Sequence, residues 1–167
     1  MRSKDFKEQV YGLRNRLYRL AKWMMQNSED AEDVVQEVFL KLWSKKETLG
    51  QYDNLEAFTI RVTKNLCLNK LKSKKTSLLS VDSIEVKDIH STPLEVMSFK
   101  HNREIMDRII GSLPEQQRAI LQLRNVEGLS IRDISGILDL SENNVRVILS
   151  RARKQIKEKY VKYHDHV

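Results

Sequence analysis

The chain has almost none of the residues that staple a fold or punctuate it with turns. One of its 167 residues is cysteine, Cys67, so no intramolecular disulfide can form and a reducing compartment is expected. Five glycines and two prolines are too few for the turns of an all-β sandwich or barrel. No apolar run reaches transmembrane length, and no secretory h-region follows Met1, so no membrane insertion and a cytoplasmic location are expected. Metal-ligating types are scarce as well. The chain has four histidines, and His164 and His166 in "YHDHV" read as a loose tail. No metal, no cofactor and no catalytic residue are expected.

Charge is abundant. Thirty lysines and arginines stand against 23 acids, a formal net charge of +7 with a sequence pI of about 9.5. That balance favours a polyanionic partner, either nucleic acid or an acidic membrane surface. Hydrophobic residues make up 40% and charged residues 32%, which suits a charge-rich helical protein of one ordinary domain or two small ones.

Apolar periodicity supplies the elements. Phe6, Val10, Leu13, Leu17, Leu20, Ala21 and Met24 recur at helical spacing, predicting one helix over about 5–25. Ser28 is a candidate cap for a second helix, whose buried stripe is Ala31, Val34, Val35, Val38, Phe39 and Leu42. After the break at "TLGQYDN", Asn54 can cap a third helix to about Lys72, with Phe58, Val62 and Leu66 inward and Cys67 in the core. Residues 1–73 thus form a first helical domain. Residues Ser73 to Ser91 lack periodicity and read as a flexible linker. "TPLE" from Thr92 announces a new helix, with Thr92 as N-cap, Pro93 in the first turn and Glu95 at the capping-box position. Gly111 and Gly128 are placed to end the next two helices. A second helical domain spans 92–167, so the expected fold is all-α, two small helical domains joined by a linker.

"LSIRDISGILDLSENNVRVILSRARK", Leu129 to Lys154, has the form of a helix-turn-helix. Ser135 is the small residue needed where two helices cross steeply. Asp139 takes the turn position where a left-handed conformation is required, and Ser141 caps the second helix. Val145, Ile148, Leu149, Ala152 and Ile156 face inward. Glu142, Asn143, Arg146, Ser150, Arg151 and Lys154 are left outward, the first of them near base edges and the later ones near phosphates. A plain helical hairpin with a solvated face is the bland alternative.

Two other helices have opposite charge. Glu29, Asp30, Glu32, Asp33 and Glu37 precede any base on the second helix. Helix-end electrostatics explain the earliest of them, whereas Asp33, Gln36 and Glu37 suit either solvent or a protein partner. The stretch from Ala57 to Lys75 carries Arg61, Lys64, Lys70, Lys72, Lys74 and Lys75 and no acid. Tyr52 and Phe58 stand at its entrance and Trp43 ends the helix before it. Basic charge beside aromatic faces is how single strands are held, although Phe58 and Trp43 are more simply read as core.

Together these segments resemble an extracytoplasmic-function (group four) sigma factor of the sigma-70 family. "DAEDVVQEVFLKLW" (Asp30 to Trp43) resembles that family's polymerase-binding helix. "AFTIRVTKNLCLNKLK" (Ala57 to Lys72) resembles its promoter-melting, minus-ten-reading helix. "LPEQQRAILQLRNVEGLSIRDISGILDLSENNVRVILSRARKQI" (Leu113 to Ile156) resembles its minus-thirty-five-reading domain. The chain departs from the usual pattern at Asp133-Ile134-Ser135 (commonly Glu-Ile-Ala), Asp139 (Gly), Asn144 (Thr), Phe58 (Trp) and Asn69 (Asp). The resemblance implies a non-enzymatic factor that binds core RNA polymerase, directs it to promoters and opens them. It implies that Asp33, Gln36 and Glu37 face the clamp helices of the largest subunit. Arg61, Lys64, Asn65, Lys70 and Lys72 would meet the minus-ten element, with the loop from about Glu47 to Asn54 capturing an unstacked base. The second domain would meet the minus-thirty-five element and the polymerase flap. Neither an N-terminal inhibitory region nor a middle domain is expected. An anti-sigma factor is the expected partner in control, with self-inhibition the alternative the linker leaves open. The linker's 19 residues can span at most ~65 Å, more than one duplex turn of ~34 Å. An autonomous helix-turn-helix regulator and a metal nuclease built on the acidic cluster are the rival readings.

Overall fold

The computed structural model describes residues 3–79 and 97–166. Eight α-helices account for these residues: α1 Ser3–Tyr11, α2 Arg14–Met25, α3 Ser28–Ser44, α4 Leu55–Leu79, α5 Met97–Gly111, α6 Glu115–Leu121, α7 Ile131–Leu138 and α8 Glu142–Asp165. A 3-10 turn at Leu49–Gln51 joins α3 to α4, and a π-helical turn at Gln122–Val126 continues α6. The all-α expectation holds among the described residues.

Three expected boundaries are corrected. The single first helix is two, broken at Gly12-Leu13. Its apolar stripe runs through the break because the Leu17 amide donates to the Leu13 carbonyl at 3.0 Å and keeps the register. The cap of α3 is Asn27, whose side chain accepts from the Asp30 amide at 3.0 Å, and Ser28 is already inside the helix. Helix α4 does not stop near Lys72 but runs through the first part of the expected linker to Leu79. Lys74 and Lys75 on this extension are tied to Asp30 and Glu115, so a stretch without apolar periodicity stays helical through its side-chain partners. The expected start of α5 at Thr92-Pro93 and the rest of the linker lie outside the described residues.

Other local signals hold. Asn54 accepts from the Ala57 amide at 2.9 Å and caps α4. Gly128 ends the π turn at φ +71, a conformation open to glycine. Asp139 takes the left-handed conformation at φ 55, ψ 48.

The core does not divide between the two halves. One continuous apolar cluster runs from Phe6, Leu17, Met24, Val38 and Cys67 to Leu113, Ile120, Leu123, Ile134, Val145 and Ala152. Helices α2, α3 and α4 form the first packing unit, with α6, α7 and α8 the second. Helix α2 packs on α6, and α4 on α7, closing a seam between the units.

Candidate nucleic-acid interface

The helix-turn-helix is built by local hydrogen bonds that the sequence specifies. Ser130 accepts from the Asp133 amide at 3.0 Å and starts α7. The Ser135 hydroxyl donates to the Leu140 carbonyl at 2.5 Å, fastening the turn across the helix crossing. Ser141 accepts from the Asn144 amide at 3.1 Å and starts α8. Val145, Leu149 and Ala152 are buried, and Ile148 and Ile156 half-buried. Glu142, Asn143, Arg146, Ser150, Arg151 and Lys154 are all exposed. Their pairings are slight: Arg146 with Glu142 at 3.2 Å and Lys154 with Glu158 at 4.0 Å, both one turn apart. Such exposed pairs contribute about 0.3–0.5 kcal/mol, so this face can be given to a ligand at little cost.

The basic helix α4 is different. Lys70 lies 3.7 Å from Glu37, Lys74 pairs with Asp30, and Lys75 with Glu115. Arg61 donates from Nε to the Ile137 carbonyl at 2.7 Å and from Nη2 to the Gly136 carbonyl at 2.5 Å. Those carbonyls end α7, where a helix leaves acceptors unpaired and carries its negative dipole end. Lys64 is half-buried, and burial first, then the neighbouring charge of Arg61, lowers its pKa. Asn65 and Lys72 are exposed. Tyr52 stacks on Phe58 with centroids 4.1 Å apart at 21°. Phe58 is half-buried against the core, as its plainer reading expected.

Helix α3 splits the three residues expected to share a face. Asp33 and Gln36 are exposed, while Glu37 is half-buried between Lys41 and Lys70, each at 3.7 Å. Gln36 lines a groove between α1 and α3 with Phe6, Tyr11, Phe39, Leu40 and Trp43. Tyr11 is 62% exposed, Leu40 70% and Trp43 41%. Trp43 is therefore not a core residue. It sits edge-on to Phe6 at 5.2 Å, with the Lys46 ammonium 4.2 Å from its ring. Leu40 was not singled out by periodicity, although a leucine one position off the buried stripe is the available signal.

The seam holds the residues that sequence reasoning missed. Arg118 is buried, 6% exposed. It donates from Nη1 to the Gly111 and Leu113 carbonyls at 3.1 and 2.6 Å, and from Nη2 to the Met24 carbonyl at 2.6 Å. Burial pushes its pKa down, but a guanidinium keeps its charge. It thus fastens the C-terminal ends of α2 and α5 together. Glu127 accepts from Arg16 at 2.9 Å, from Arg19 at 2.8 and 3.0 Å, and from Gln122 at 2.8 Å. Burial alone would raise its pKa. The hydrogen bonds from Arg19 and Gln122 and the charges of Arg19 and Arg16 outweigh that and hold it below the usual range. The π turn delivers this residue, since the Glu127 amide donates back to the Gln122 carbonyl at 3.1 Å.

No group of three or more metal-ligating side chains occurs among the described residues. None of their helices is long and apolar enough to cross a membrane.

Comparison with known families matches residues 11–76 to sigma-70 region 2 and residues 103–156 to sigma-70 region 4. The chain is 31% identical over 142 residues to the ECF RNA polymerase sigma-E factor of Escherichia coli strain K12, covering 79% of this chain and 74% of that one. The chain belongs to the ECF sigma-factor family. A second relative, the ECF RNA polymerase sigma factor SigE of Mycolicibacterium smegmatis, is 28% identical over 89% of this chain and 59% of its own length. Among solved structures, the fold is similar to that of the sigma factor RpoE from Bartonella quintana, solved with the anti-sigma factor NepR. The TM-score is 0.76 at 22% identity, over 94% of this chain and 97% of that one. It is also similar to CnrH, solved with the cytosolic domain of CnrY, with a TM-score of 0.65 at 19% identity over 94% and 88%. This sigma factor therefore serves RNA polymerase in transcription initiation, with core polymerase and promoter DNA as its partners.

Proposed function

We propose that the sigma factor divides its work among three surfaces. Asp33, Gln36 and Glu37 of α3, with the apolar groove beside them, hold the clamp helices of the polymerase largest subunit. Arg61, Lys64, Asn65, Lys70 and Lys72 of α4 meet the minus-ten element and help open it, with the Tyr52–Phe58 stack offering an aromatic face to an unpaired base. Glu142, Asn143, Arg146, Ser150, Arg151 and Lys154 of α8 read the minus-thirty-five element, while the same region reaches the polymerase flap. The observation that carries this reading is the outward face of α8. Its amide and arginine side chains stand exposed and nearly unpaired on a capped recognition helix, as base-edge readout requires. Opening is driven by binding energy for unpaired bases and needs no covalent step, so the factor works without cofactor or metal and beside the polymerase in the cytoplasm. An anti-sigma factor is proposed as its controlling partner, a reading supported by the complex of the structural neighbour RpoE with the anti-sigma factor NepR.

Run-off transcription on genomic templates with and without the chain, using its host's core polymerase, tests the proposal. Start sites that appear only with the chain and share two spaced elements are expected. A set of start sites indistinguishable from core alone overturns it. Asp33→Lys separates the surfaces: it is expected to weaken core binding and leave duplex binding by α8 unchanged.

A further inference from the structure

Resting on the reading that α8 meets the minus-thirty-five element, we propose that Ser135 is a positioning residue for promoter specificity. Its hydroxyl braces the left-handed turn at Asp139 and so fixes the angle at which α8 presents its base-reading side chains.

The turn is built on a residue that does not favour it. Two non-glycine residues take positive φ among the described residues, Gln26 at 56° and Asp139 at 55°. In that conformation the Cβ of an L-residue crowds the following carbonyl oxygen; aspartate tolerates this better than most side chains, but only glycine escapes the cost. Gln26 fastens its own turn, because its side-chain amide donates to the Trp23 carbonyl at 2.6 Å. The Asp139 side chain is exposed and makes no such bond. The fastening comes instead from Ser135, one turn earlier on α7.

Ser135 touches this turn through three hydrogen bonds. Its carbonyl accepts from the Asp139 amide and from the Leu140 amide, the latter at 3.1 Å. Backbone bonds of this kind close many helix ends. The third bond depends on the side chain: the Ser135 hydroxyl donates to the Leu140 carbonyl at 2.5 Å. That carbonyl lies just before the cap of α8, and the first carbonyl taken within α8 is that of Ser141, by the Val145 amide at 3.0 Å. The Leu140 carbonyl therefore has no partner inside α8, and Ser135 supplies one. With both its amide and its carbonyl held by one residue of α7, Leu140 cannot turn, and α8 leaves in one direction.

Direction matters more to base readout than to phosphate contact. Base edges are read by paired hydrogen bonds, which need side chains placed to within about 0.5 Å. Arg146 follows the cap Ser141 at a distance of ~8 Å along the helix, so a tilt of about 10° at the turn displaces it by ~1.4 Å. Long basic side chains reaching a phosphate follow such a shift. Loss of the hydroxyl should thus cost discrimination between bases before it costs affinity.

Binding-site selection by the full chain with its host's core polymerase tests this, using Ser135→Ala, Asp139→Gly and the two changes combined. Hydrogen exchange of the Leu140 amide in the free chain adds a reading that needs no DNA. Ser135→Ala should speed that exchange about fivefold. It should lower discrimination at the base position read by Arg146 about fivefold, with affinity for unrelated duplexes held within about twofold. Adding Asp139→Gly should recover both, because glycine keeps the turn without the brace. Unchanged discrimination in Ser135→Ala, an equal loss of affinity on all duplexes, or no recovery in the combined variant each overturns the proposal. Should Ser135→Ala lose its helical circular dichroism, the combined variant decides: parent discrimination supports the brace, and loss of helices there too overturns it. The parent chain separates premise from proposal. A parent preference that Arg146→Ala leaves untouched defeats the reading of α8 and the proposal with it, whereas a preference sensitive to Arg146→Ala but not to Ser135→Ala defeats the brace alone.

Discussion

The outward face of α8 and the basic helix α4 share a sign of charge and little else. On that face Arg146 and Lys154 stand in solvent with partners one turn away on the same helix, while Arg153 and Lys159, elsewhere on α8, donate to Asn125 at 3.3 Å and Ser112 at 2.6 Å. On α4 they are engaged across helices: Arg61 with α7, Lys70 and Lys74 with α3, and Lys75 with α6. An acid-free run of lysines and arginines is thus not by itself a nucleic-acid surface. Much of the charge on α4 neutralises the acids of α3 that sequence reading found puzzling, and it helps hold the two units together. Arg146, Arg151 and Lys154 of α8 have no such contact with another helix. Substitution on α4 should therefore disturb the packing as well as DNA contacts, whereas substitution at Arg146, Arg151 or Lys154 should disturb DNA contacts alone.

The largest effect is expected where the seam is buried. Arg118→Met leaves three carbonyls without their donor at the ends of two helices. A loss of about 2–4 kcal/mol of stability is expected, measured by urea unfolding. A loss below about 0.5 kcal/mol, the usual scale of a surface substitution, would mean that α2 and α5 are held by apolar packing alone. Arg146→Ala on α8 should leave the unfolding midpoint in place. It should cost about 1–3 kcal/mol of promoter binding and relax preference at one base position. Unchanged base preference in a binding-site selection would refute the register assigned to α8.

Acid should loosen the seam before it touches α8. Lys75 first, by its hydrogen bond, holds Glu115 below the usual carboxylate range, and Glu127 is likewise held down despite its burial. A carboxylate whose pKa is lowered by partners across the seam stabilises the seam above its unpaired value, ordinarily about 4.3. That contribution is lost as pH falls through the lowered value. Energy transfer between fluorophores at Glu8→Cys and Lys162→Cys, one on each unit, should therefore drop below about pH 4 at a pH where helical circular dichroism persists. Transfer and helicity lost in one step would mean that the units have no separate stability.

What the sequence discloses follows from the range of the interactions. The turn of the helix-turn-helix is readable because Ser135, Asp139 and Ser141 act within a few residues of themselves. The break at Gly12-Leu13 is not, because the apolar spacing of Val10, Leu13 and Leu17 continues across it. Helix α4 is underestimated because Lys74 and Lys75 find partners 44 and 40 residues away. Arg118 and Glu127 give no local sign at all. Their partners Met24 and Arg19 are 94 and 108 residues distant, and in sequence each looks like one more charge on a solvated helix. The polymerase-facing groove is half legible. Gln36 stood out as an outward residue of α3, but the apolar wall of Tyr11, Leu40 and Trp43 depends on how α1 lies against α3.

The smallest effect sharpens the contrast most. Lys154 is exposed late on α8, and its one ion pair, with Glu158 at 4.0 Å, is at the limit of contact. Lys154→Ala should leave stability, energy transfer and base preference unchanged. Its effect should be a uniform weakening on all duplexes and a salt dependence flatter by about one phosphate contact. Lys75→Ala on α4 removes the same charge from a residue tied to Glu115. It should lower energy transfer in the free chain, because part of the seam goes with it. Equal behaviour of the two lysines in both transfer and salt dependence would erase the distinction between a helix whose charge is held by the fold and one whose charge is offered to DNA.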